Sequence, residues 1–220
     1  MLPPTPIATH SSSWGWVTLF LLGAYHGLNP GMGWLFAVAL GMQEHSSNAV
    51  ARSLVPIAIG HAAAIGLAIL LAGLVQVVLP LDDVRIVVAA TLVALGLYRI
   101  IRKHHFQWSK MRVRFHDLVL WSFLMASAHG AGLMVLPVVM GLSAVQASAM
   151  EHMHSHGLQE PVTGIWATVV HTLGYFVVTA IIALLVYQKF GLSMLRKAWF
   201  NLDLVWAAAL IVTGCLALFL

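Results

Sequence analysis

The chain has 220 residues, 60% of them hydrophobic and only 8% charged, and its mean hydropathy is +0.91. Soluble domains carry roughly 25% charged residues, so the composition excludes a soluble enzyme and specifies an integral membrane protein. The net charge of +4 does not indicate nucleic acid, because the basic residues fall in loops where membrane topology accounts for them.

Residues 1–13 contain no Lys or Arg and so lack the basic n-region of a secretory signal. The first span is therefore expected to remain in the mature protein. A span needs about 20 apolar residues, and the chain supplies six such stretches: 14–42, 54–79, 84–101, 117–147, 162–187 and 202–220. Trp14, Trp16, Trp108 and Trp199 stand at span ends, as interfacial aromatics do.

Arg99, Arg102, Lys103, Lys110, Arg112 and Arg114 follow the third stretch; Lys189, Arg196 and Lys197 follow the fifth; Arg52 follows the first. With six spans these share one side, which the positive-inside rule makes the cytoplasm. Both termini are then external. The expected location is a cell membrane of the bacterial inner-membrane type, with the lipid bilayer as partner and a homo-oligomer left open.

Each half of the chain has three spans, an odd number, so the halves insert in opposite senses. The fold class expected is an all-α membrane protein, two inverted three-helix repeats covering 1–103 and 115–220 with a basic linker at 104–114. In carriers built this way the site lies near mid-membrane, where the repeats meet.

The first and fourth stretches run to about 30 residues, too long for one straight crossing. The first contains Asn29, Pro30, Gly31 and Gly33, and the fourth contains Gly130, Gly132 and Pro137. Proline removes a backbone donor and glycine permits non-helical dihedrals, so the lead helix of each repeat should be broken there. A proline kink that only shapes packing accounts for one such break. Two at matched positions, each following His-Gly, point to a site, since unwound backbone at this depth needs protein or a watery cavity around it.

Those His-Gly pairs are His26-Gly27 and His129-Gly130, and one further histidine stands in the next span of each half, His61 and His171. Ionisable groups inside a membrane are costly and mark ligand or proton pathways. Neutral imidazole ligates zinc, nickel, cobalt and copper, and it also titrates near neutrality. A transition-metal cation, as substrate or ligand, is the chemistry these four suggest. His26 and His129 would face each other as the central site, with His61 and His171 as gate or relay positions and Asn29 as an added oxygen ligand. Protonation of the histidines would compete with the cation and couple the two gradients. Met32, Met42, Met125, Met134 and Met140 are soft donors that favour Cu(I), but also ordinary apolar filler.

His152, His154 and His156 form an alternating tract between the fourth and fifth spans, a composition that binds late first-row metals. On the external side it would capture metal. His104, His105 and His116 lie in the basic cytoplasmic segment, suited to lipid head groups. Asp117 and Asp203 fall at helix ends, where they complement the dipole. The single cysteine, Cys215, rules out an internal disulfide or a CxxC relay.

An inverted pair of three-helix units with a histidine motif in the first span resembles the lysine-exporter superfamily of small membrane transporters, nearest its nickel/cobalt branch. That branch has Asp and His five and six residues after the first-span histidine, where this chain has Gly31 and Met32. The resemblance therefore implies the architecture and a role for His26, and does not carry over the substrate.

Three functions remain compatible with these residues: a metal-cation transporter, a membrane b-type cytochrome with bis-histidine haem, and a carrier of a small organic or anionic solute. No enzyme is expected, because no Asp or Glu lies at the depth of the histidines to act as general acid.

Overall fold

The computed structural model describes residues 6–76, 81–101, 114–150, 159–190 and 202–217, and among these it is wholly helical. The elements are α1 (Pro6–Leu28), a 3₁₀ turn (Pro30–Met32), α2 (Trp34–Gln43), α3 (Ser47–Gln76), α4 (Leu81–Ile101), α5 (Phe115–Ala128), α6 (Ala131–Met150), α7 (Gln159–Leu185) with a π turn (Val186–Phe190), and α8 (Leu202–Ala217). The linker at 104–114, apart from Arg114, and the tract His152, His154, His156 lie outside the described residues.

Two helices are long and apolar enough to cross a membrane by themselves, Ser47–Val75 and Val162–Lys189. The pair Phe115–Ala128 and Ala131–Ser143 makes a third if its 64° bend is taken as a break within one span. Trp34–Gln43 and Ala207–Ala217 are shorter apolar helices. The interruptions divide the long first and fourth apolar stretches, leaving α2 at 10 residues and α5 at 14, each too short to cross a bilayer alone.

The distribution of polarity is compatible with an apolar surrounding. Leu21, Leu70, Leu74, Ile86, Ile165, Trp166 and Ile181 are exposed on the outside. Inside lie His26, Asn29, Ser53, His61, Ser122, His129, Thr163, His171 and Thr179, all buried. A soluble domain would bury the first set against the second's place at the surface.

Three helix pairs pack most extensively: α1 with α7, α3 with α5, and α4 with α8. Each depends on glycine. A Cβ on Gly27 of α1 would sit 2.7 Å from the Tyr175 carbonyl oxygen, and one on Gly23 would overlap the His171 carbonyl. On Gly60 of α3 it would sit 2.9 Å from the Phe123 nitrogen of α5, and on Gly214 of α8 2.9 Å from the Ala89 carbonyl of α4. Small residues let backbones approach in this way, which is the main source of helix association in lipid. Central α3 and α7 also pack on each other.

Gly23→Ala should force α1 off α7, an overpacking cost of about 1–3 kcal/mol, and lower the thermal unfolding midpoint of purified protein. Gly66→Ala, where an added Cβ meets nothing within 4 Å, should leave that midpoint unchanged or raise it slightly.

Candidate functional site

Where α1, α3 and α7 meet, three histidine rings come together. His26 lies 4.9 Å from His171 and 5.7 Å from His61, ring centre to ring centre, and His61 lies 5.6 Å from His171. All three are 0% exposed. Contact between α1 and α7 through Gly23 supplies the shortest of these separations, and α3 brings the third ring.

His26 is oriented by its own helix. Its Nδ1 lies 2.7 Å from the Leu22 carbonyl oxygen, which can only accept, so in the neutral ring the proton sits on Nδ1 and the basic lone pair on Nε2. A carbonyl behind one ring nitrogen is the usual means of aiming the other at a ligand. His61 is different: neither of its ring nitrogens has a hydrogen-bond partner, although the ring is wholly buried. His171 has the Leu19 carbonyl as a neighbour, in an arrangement too poor to make a hydrogen bond. Leaving a buried polar group unpaired costs about 1–3 kcal/mol, and such groups mark a missing partner more often than a defect.

Tyr175 ties this cluster to the break in the first span. Its ring stacks on His61 at 3.9 Å with planes 8° apart, and its hydroxyl donates to the Met32 carbonyl of the 3₁₀ turn. The turn is held from two further directions. The Asn29 side-chain oxygen accepts from the Gly31 amide at 2.9 Å, and the Trp34 indole donates to the Leu28 carbonyl at 3.1 Å. Asn29 is thus occupied as a cap, with Pro30 and Gly31 inside the turn. Gly33 follows at φ +139°, a conformation that side chains rarely adopt.

The second break is tighter. α5 stops at Ala128, His129 caps it, and Gly130 at φ +71° turns the chain into α6. Gly132 and Pro137 lie within α6. A Cβ on Gly132 would overlap Ala68 of α3, so its work is close packing. His129 is buried and repeats the orientation of His26, with Nδ1 2.8 Å from the Met125 carbonyl four residues back. Gly130 beside it packs toward Leu210, Leu95 and Leu92 of α8 and α4. His26 falls inside the last turn of α1, whereas α5 ends one residue before His129.

As the rings stand, no three His, Cys, Asp or Glu side chains among the described residues are aligned to hold a metal ion. No Asp, Glu, Lys or Arg is buried among the described side chains. Asp117 caps α5, its carboxylate accepting from the Arg114 amide at 2.9 Å, and lies 3.4 Å from exposed His116. Met32, Met134 and Met140 are buried in the core cluster as apolar filler.

No protein-family model matches the chain, and neither a curated protein nor a solved structure matches it.

Tyr175 was the residue least visible in the sequence, and its signal was its spacing four residues after His171, on the same helix face. Tyr175→Phe leaves the Met32 carbonyl without its donor, a cost of about 1–3 kcal/mol. The expected result is a lower unfolding midpoint and faster amide hydrogen exchange at Gly31–Trp34, with exchange in the middle of α4 unchanged.

Proposed function

We propose that the chain is a multi-pass membrane carrier of a transition-metal cation, with His26, His61 and His171 as the site where the cation rests. The observation that carries this reading is the wholly buried His61, whose two ring nitrogens lack any partner between two other histidines. Three imidazoles bound to one ion at about 2.0–2.1 Å have ring centres about 5 Å apart, against 4.9–5.7 Å here. Closing on an ion then needs rotation of the rings, with little movement of the helices.

The packing also supports two inverted repeats of three spans. Exchanging the first span with the fourth, the second with the fifth and the third with the sixth turns the α1–α7 pair into α5–α3 and leaves α4–α8 in place. The registers agree as well. Gly174, three residues past His171, packs on α1 between the Phe20 carbonyl and the Ala24 amide, centred four residues before His26. Gly60, one residue before His61, packs on α5 between the Val119 carbonyl and the Phe123 amide, centred eight residues before His129. Four residues further along α3 and α5, about one turn, the relation to the histidines is the same. The chain continues in that sense, since Gly132 of α6 meets Ala64 and Ala68. A site between inverted repeats is the usual arrangement in secondary carriers, and the architecture is the one that resemblance to the lysine-exporter superfamily implies.

A cage of neutral imidazoles without a buried carboxylate leaves the charge of a bound cation uncompensated in a medium of low dielectric. Binding is then brief, as transport requires, and protonation of the rings competes with it. A bis-histidine haem is less well served. It would hold the two rings about 6 Å apart on opposite faces of a flat macrocycle, and α1 and α7 meet backbone to backbone beside His171.

The reading is tested with full-length protein in liposomes loaded with a metal-sensitive dye and offered zinc, cobalt, nickel or, under reducing conditions, copper. At least one ion should enter faster than in empty liposomes. His61→Ala and His171→Ala should reduce that flux at least about tenfold, because each removes a ligand while leaving the packing glycines intact. Equal flux in wild type and both variants, or no flux of any of the four ions, contradicts it.

A further inference from the structure

The two breaks share more than their sequence. His26 and His129 both send Nδ1 to the carbonyl four residues back, at 2.7 and 2.8 Å, and both are buried. Their helices lie on α7 and α3 in the same register relative to His171 and His61. By backbone position, then, His129 stands to His61 as His26 stands to His171. The exchange of repeats that sends 26 to 129 sends 61 to 171 and 171 to 61. The pair His61–His171, rings 5.6 Å apart with planes 9° apart, maps onto itself, and only its third member changes.

The difference between the halves is where the helix stops. α1 runs two residues past His26, to Leu28, whereas α5 stops at Ala128 and leaves His129 as its cap. Gly130 at φ +71° marks that stop, and glycine passes between left-handed and helical dihedrals at little cost. In carriers with inverted repeats one half rocks or gates against the other around the site, and pseudo-symmetry gives a contact made by one half its counterpart in the other.

We propose that His129 is a second station for the cation, completed by His61 and His171 when α5 winds on through Gly130. This rests on the carrier reading above. The cation passes from a site closed by His26 to one closed by His129, and the shared pair never holds two ions at once. His61 is the ring that swings, which agrees with its freedom from hydrogen bonds.

Cobalt(II) titration of the full-length protein in lipid nanodiscs, followed by its visible absorption bands, tests this. Wild type should bind one ion. His26→Ala and His129→Ala should each still bind one, within about tenfold of wild type, and the double variant should weaken binding by more than about a hundredfold. A variant that is not monodisperse is replaced by the corresponding glutamine. Gly130→Ala disfavours the left-handed turn, so it should tighten cobalt binding in the His26→Ala background and not in the His129→Ala background. If His26→Ala alone loses as much as the double variant, His129 is no station, although the carrier reading stands. If wild type binds no cobalt, both fall.

Discussion

The site depends on a space where no side chain fits. With a methyl group on Gly23, α1 could not lie against the His171 carbonyl, and the His26 and His171 rings could not approach to 4.9 Å. Gly27 and Gly174 extend the same contact over two further points. In lipid, helices gain nothing by hiding apolar surface from one another, so close backbone contact is what holds them. Here the requirement that stabilises the bundle is the one that assembles the imidazoles. That coupling explains why His26 and His171 sit at a crossing this close.

Around that contact lie a closely packed helix pair and a braced turn. α4 and α8 pack through Gly96 and Gly214 and bury no ionisable side chain among the described residues. The break after α1 is braced by Asn29, Trp34 and Tyr175, which converge on one short turn. Because Tyr175 both stacks on His61 and holds the Met32 carbonyl, a movement of the His61 ring is felt at the turn. Under the carrier reading proposed above, an ion bound among the histidines would in this way bear on the backbone of that turn, the kind of differential contact that a conformational switch requires.

Much of this was legible in the sequence, for physical reasons. The breaks followed from Pro30, Gly31, Gly33 and Gly130, residues whose backbone chemistry is local. That His26, His61, His129 and His171 are buried followed from the apolar runs around them. Which of them touch was not legible, because it turns on helix register and on whether a helix ends before or after its histidine. His26 lies inside α1 and His129 caps α5, a difference of a turn that composition does not reveal. The second break was placed too broadly for the same reason: Gly132 and Pro137 are tolerated within α6, and one glycine with positive φ suffices. Asn29 reads as a ligand because its amide is polar and deep; its cap on the turn, accepting from the Gly31 amide, is a matter of local backbone geometry.

X-ray absorption at the metal edge of cobalt- or zinc-loaded full-length protein reads the ligands of the bound ion. Three imidazoles on one ion give light-atom neighbours at about 2.0–2.1 Å, together with the outer-shell scattering that rigid histidine rings produce. Wild type should give that pattern and lose it, ring by ring, as His61 and His171 are replaced. A first shell of oxygen alone, unchanged by those replacements, would contradict it.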